Sequence, residues 1–175
     1  MEENGSNEVV TVRSVGMKFG LISAVYSIVF LVGMSLAGLN AFDNKWGWIN
    51  MIVGIALFVL AHKNFKDSGD GFMSYGQGIG IAFWSTLTSI VIAGAFTYLY
   101  AEVIAPETME RFYDAQREQM EAKNMPDEQI EMATSWTKKL FWPMYVFFGM
   151  FFSILIALIV TIFTQKKNPD QTQIS

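Results

Sequence analysis

The sequence predicts an all-α membrane protein: four transmembrane helices, with an extramembrane amphipathic helical hairpin between the third and fourth. Three observations predict it. Charged residues make up only 16% of the chain and hydrophobic ones 52%, whereas soluble domains carry about a quarter charged. Four long runs contain no charged residue at all: Phe19–Phe42, Trp46–Ala61, Gly71–Ala101 and Leu140–Thr164. The charge is concentrated instead in Glu102–Lys139, between the two most apolar runs, which holds nine of the sixteen acidic and five of the twelve basic residues.

Length and composition narrow the function classes. The 175 residues allow one domain. Net charge is -4 with no polybasic tract, so no nucleic acid is expected as a partner. The absence of cysteine excludes a disulfide scaffold, a thiol nucleophile and a thiolate metal site. His62 is the only histidine, so a His-rich zinc site within one chain is not expected either.

The first 15 residues read as a polar tail, and the first span as about 17–42. Its charge-free part, Phe19–Phe42, is about 36 Å as a helix, enough for a hydrocarbon core of about 30 Å. That length, its late start and the acidic tail before it argue against a cleaved signal peptide. The second span, 46–62, is short. Trp46 and Trp48 anchor one end at an interface, and His62 and Lys63 reach toward the other.

Asp67-Ser-Gly-Asp-Gly71 is turn chemistry. The third span follows at 76–101. Because Gly76, Gly78 and Gly80 are poor helix formers, Gly71–Gly78 is expected at the interface and the crossing from about Ile79. The fourth span is 140–164, and 166–175 is a polar tail.

The extramembrane segment, 106–138, reads as two amphipathic helices. Pro106 with Glu107 and Glu110 suits a helix start. Met109, Phe112, Tyr113 and Met120 share a face. Asn124-Met-Pro-Asp-Glu breaks and restarts the helix, after which Ile130, Ala133, Trp136 and Leu140 carry an apolar stripe toward the fourth span. This hairpin either caps the bundle or offers a partner-binding surface. Its candidate contact residues are Met109, Phe112, Tyr113, Met120 and Trp136.

Four spans place both termini on one side. Arg13, Lys18, Lys63, Lys66, Lys166 and Lys167 then share that side, all close to span ends where the positive-inside bias acts. As many basic residues lie on the other side, but Arg111, Arg117 and Lys123 sit well within the hairpin. Termini are therefore expected in the cytoplasm.

No Asp, Glu, Lys or Arg lies within a span interior, and such residues are the usual mark of ion pathways and embedded catalysis. Asn50, His62, Gln77 and Glu102 sit near span ends as interfacial residues. No nucleophile–base pair stands out, so no enzyme activity and no cofactor is expected. The spans do carry small residues every fourth position: Ser85, Ser89, Ala93 and Thr97 in the third, and Gly149, Ser153, Ala157 and Thr161 in the fourth. Gly16 and Gly20 give a shorter version in the first. Such ridges let helices approach closely in lipid. They serve packing of the third helix on the fourth, or one ridge is left over for a homo-oligomer or a membrane partner.

The elements Phe65-Lys-Asp, Gly71-Phe-Met-Ser-Tyr-Gly-Gln77, Ala115-Gln-Arg-Glu-Gln-Met-Glu121 and Met125-Pro-Asp-Glu-Gln-Ile-Glu131 resemble domain-of-unknown-function family 4199, a family of small bacterial four-span membrane proteins. The resemblance runs from about Ser14 to Lys167. Gly78 stands where the family pattern leads one to expect Ala, and Asn124 where it leads one to expect Gly. The resemblance implies the four-span architecture and a bacterial inner membrane, and brings no activity or catalytic residue.

Together these readings describe a non-catalytic protein that acts through protein contacts in the bacterial envelope. Its partners are the lipid bilayer and either a homo-oligomer or an envelope protein. The alternative is a small oligomeric transporter or channel subunit.

Overall fold

The protein is described by a computed structural model covering residues 10–169. Among these residues five helices form and no strand. They are α1 (Val12–Leu36), α2 (Gly47–Ser68), α3 (Tyr75–Ile104), α4 (Glu107–Glu121) and α5 (Asp127–Thr164). All but α4 are long and apolar enough to cross a membrane, the architecture of a multi-pass membrane protein. Residues 1–9 and 170–175 of the two expected tails lie outside the described residues.

Helix α1 starts and stops before the expected 17–42. The Thr11 side chain accepts the Ser14 amide at 3.0 Å, and Ser14 Oγ accepts the Thr11 amide at 3.1 Å. This reciprocal cap draws residues 12–15 into the helix. At the other end Gly38 adopts φ +73, a left-handed conformation that suits glycine and stops the helix.

Helix α2 continues six residues past the expected end at 62. Phe58, Ala61, His62 and Phe65 recur at helical spacing and are all buried, so one packed face runs through the polar-looking His62-Lys-Asn-Phe-Lys. His62 is fully buried, which corrects the expectation that it reaches toward an interface.

Helix α3 begins at Tyr75, ahead of the crossing expected near Ile79. The reason is again a capping box. Ser74 Oγ accepts the Gln77 amide at 3.2 Å, and Gln77 Oε1 accepts the Ser74 amide at 2.7 Å. A π-helical turn, Ile90–Gly94, interrupts α3 without ending it, and a second, Tyr100–Ile104, forms its last turn.

Beyond α3, Pro106 precedes α4 and Pro126 precedes α5. Asn124, in the turn between them, has φ +55, a conformation that glycine and asparagine tolerate best. Helix α5 is unbroken over 38 residues, about 57 Å, so the second hairpin arm and the fourth span are one rod. Pro143 lies within it and leaves the Lys139 carbonyl without its usual amide donor.

The most extensive helix–helix contact is between α1 and α3. A Cβ added at Gly20 would stand 2.6 Å from the Ser85 carbonyl oxygen, and one at Gly16 2.8 Å from that of Ile81. Backbone meets backbone here because neither glycine carries a side chain. Beside this seam, Val15, Phe19, Ala61, Phe65, Met73 and Ile81 form a buried apolar cluster at the end of the bundle nearest the termini.

Candidate functional site

The small-residue ridges have different neighbours from one another. Ser85 is buried against α1, and Ser89 Oγ reaches Ser23 Oγ at 3.3 Å. The first half of that ridge therefore serves α1. Ala93 and Thr97 continue it and are buried. On α5, Ser153 shares a hydrogen bond with Thr86 at 2.8 Å. Ala157 and Thr161 are fully buried, and Thr161 abuts Gly78 so closely that a Cβ there would stand 2.5 Å from its methyl. Gly149 is exposed, with the Ile90 side chain within reach.

At the end nearest the termini, a polar staple joins α2, α3 and α5. His62 Nε2 lies 3.0 Å from the Gly78 carbonyl, which can only accept, so this nitrogen carries the proton. In the neutral ring Nδ1 is then the acceptor for Thr164 Oγ1, 2.7 Å away. Thr164 Oγ1 also lies 2.9 Å from the Val160 carbonyl. Lys66 Nζ donates to the Thr164 carbonyl at 2.7 Å, closing the C-terminal end of α5. Met73 and Lys166 then exchange backbone hydrogen bonds of 2.8 and 2.9 Å.

At the opposite end the hairpin is tied down by aromatic rings. Phe42, from the α1–α2 loop, meets Phe112 at 6.1 Å and Phe141 at 5.7 Å between ring centroids. Phe112 and Phe141 meet edge-on at 5.4 Å, a favoured aromatic geometry. Asn40 Nδ2 donates to the Thr108 carbonyl at 3.2 Å, so the same loop also holds the first turn of α4. Trp142 Nε1 donates to Glu102 Oε1 at 2.8 Å, joining the end of α3 to α5. Burial, and after it the Glu102 charge, pushes the Tyr113 phenol above its ordinary pKa, so it stays protonated.

These contacts sort the five residues expected to face a partner. Met109 is buried, which removes it from any surface contact. Phe112 and Tyr113 are half-buried in the aromatic cluster, and Met120 is half-buried as well. Trp136 is 58% exposed, and Met132, one turn before it, is 54% exposed. Trp136 also borders an open groove of about 640 Å³ along α5, whose other walls include Phe112, Leu140, Met144 and Phe148. Among the described residues no group of three or more His, Asp or Glu is arranged to hold a metal ion.

His62, Phe42, Phe141 and Asn40 were not singled out as site residues by sequence. The signal for His62 was its register with Phe58, Ala61 and Phe65. The loop residues gave no periodic signal.

No curated protein and no solved structure reaches significance against the chain. Residues 18–166 match the family described as Protein of unknown function (DUF4199), and the chain belongs to that family.

Proposed function

We propose that the chain is a non-catalytic integral protein of the bacterial inner membrane that acts through protein contacts. Its termini are cytoplasmic, and its α4–α5 hairpin is presented outside. The observation that carries this reading is the length of α5 together with what its first turns expose. At about 57 Å the helix exceeds a hydrocarbon core of about 30 Å by some 27 Å. With Thr164 near one membrane surface, the first half of α5 projects beyond the other. Met132 and Trp136 lie on that projecting part and are exposed. An exposed Trp beside an apolar groove is a common binding anchor.

The experiment is complementation of a deletion strain by a Met132→Ala, Trp136→Ala double variant. Loss of complementation with unchanged membrane abundance supports the reading. Full complementation of every deletion phenotype removes the hairpin from the function.

The runner-up is a small oligomeric transporter or channel subunit with its pathway between protomers. The hydroxyl-bearing faces of α3 and α5 favour it, and an absence of ion or solute flux after reconstitution would sink it.

A further inference from the structure

A cavity of about 290 Å³ lies between the four spans, in the half of the bundle nearest the hairpin. Every span contributes a polar side chain to its wall: Ser23, Tyr26 and Ser27 from α1, Asn50 from α2, Thr97 from α3 and Tyr145 from α5. No charged residue lines it. The opposite half of the bundle is filled by the apolar cluster around Phe19, Phe65 and Ile81, so the cavity is blind toward the termini.

Polar groups facing an empty space within a bilayer are costly, and a cavity of this kind holds polar contents. The wall's internal bonds use only part of its capacity. Tyr26 Oη donates to Asn50 Oδ1 at 2.9 Å, and Ser27 Oγ donates to the Ser23 carbonyl at 2.9 Å. Among the described residues nothing takes the Asn50 amide hydrogens. The hydroxyl oxygens of Ser23, Tyr26 and Ser27 keep lone pairs for a guest.

The cavity is partly open, since Asn50 in its wall is exposed, and toward the hairpin it meets Phe42. Phe42 lines it, and Phe42 also lines a cleft of about 540 Å³ beneath the hairpin. That cleft is bordered by Asp43, Lys45, Gln116, Gln119 and Lys123, a water-facing set. The Phe42 ring thus stands between a cleft bordered by charged and amide side chains and the polar cavity among the spans, and its contacts with Phe112 and Phe141 hold it there.

We propose that this cavity is a binding site for a small, uncharged polyol, reached from the hairpin cleft past Phe42. Five of the six polar side chains in the wall carry a hydroxyl, and a polyol both donates to and accepts from them. A charged guest would find no counter-charge. The volume corresponds to about ten water molecules at roughly 30 Å³ each, which fits a small polyol with some of its water.

The test uses the cysteine-free chain in bilayer nanodiscs, where reagent reaches both faces. Single cysteines are placed by Ser27→Cys in the cavity and by Val29→Cys on the bundle's outer surface, where Val29 is 64% exposed. The probe is the uncharged reagent hydroxyethyl methanethiosulfonate, which reacts with a hydrated thiolate and hardly at all with a thiol in lipid. The cavity position should react about tenfold faster than the surface one. Phe42→Ala should raise that rate about fivefold further, with Phe42→Leu as a substitute should the alanine variant fail to fold. Molar glycerol should slow the reaction at Ser27→Cys, and glycine betaine of equal osmolality should not. Equal rates at the two positions would overturn the cavity. An unchanged rate in the Phe42 variants would overturn the route, and no difference between glycerol and betaine would overturn the ligand class.

Discussion

His62 Nδ1 lies 2.7 Å from Thr164 Oγ1, across 102 residues of sequence. The contact pins the end of the long α5 rod to α2, while the other ring nitrogen holds the Gly78 carbonyl of α3. Three helices therefore share one fully buried side chain. His62→Ala opens a void and strands the Gly78 and Thr164 groups. Bundle stability should fall by about 2 kcal/mol, mostly from the void, since a hydrogen bond within a membrane averages only about 0.6. Denaturant unfolding in mixed micelles checks it, and an unshifted midpoint would remove His62 from the bundle's support.

Two glycines of α1 separate packing from helix propensity. Gly20→Ala would put a methyl against the Ser85 backbone at 2.6 Å, where nothing flexible can yield, so α1 and α3 must move apart. The expected cost is about 1–3 kcal/mol. Gly33 has nothing within 4 Å of an added Cβ, so Gly33→Ala should be neutral or stabilise by up to about 1 kcal/mol. Equal unfolding midpoints for the two variants would contradict the close seam.

What the sequence made legible follows from how far each signal reaches along the chain. Charge-free runs marked the four apolar helices, because a bilayer's demand for uninterrupted apolar length is local. Helix ends were harder. The starts of α1 and α3 depend on Thr11–Ser14 and Ser74–Gln77, reciprocal side-chain caps; the first lies in a polar segment that resembles a tail, and beside the second Gly76, Gly78 and Gly80 carry the opposite propensity. The end of α2 depended on counting His62 with Phe58 and Phe65 rather than with Lys63. Partner faces were the least legible. Met109 and Trp136 are both apolar residues on amphipathic helices, and only the tertiary arrangement buries the first and exposes the second.

Phe141 stands where the loop, α4 and α5 meet, with Phe42, Phe112 and Trp142 rings around it. Phe141→Ala should loosen the hairpin without unfolding the spans, at a local cost of about 3 kcal/mol. Hydrogen exchange should then quicken in Glu107–Glu121, while the α1–α3 seam keeps its protection. Unchanged exchange in α4 would show that the Asn40–Thr108 bond and the α4–α5 turn hold the hairpin without the aromatic cluster.

The direction in which the hairpin points is testable in the same cysteine-free background. Glu118 is exposed on α4, and Asp67 is exposed near the end of α2, at the opposite end of the bundle. Cysteines replacing them, one at a time, should therefore report on opposite membrane faces. Arg13, Lys18, Lys63, Lys66, Lys166 and Lys167 gather at the Asp67 end, and basic residues beside span ends favour the cytoplasm. A membrane-impermeant maleimide applied to intact cells should label Glu118→Cys and spare Asp67→Cys, with both labelled once the membrane is opened. Asp67 is the better inner reporter than its neighbour Lys66, because Lys66 Nζ is engaged by the Thr164 carbonyl and its replacement would disturb the end of α5. The reverse labelling pattern would place the hairpin, with Met132 and Trp136, in the cytoplasm. Its partner would then have to be sought there, and the polyol cavity would open to the cytoplasm instead of the outer face.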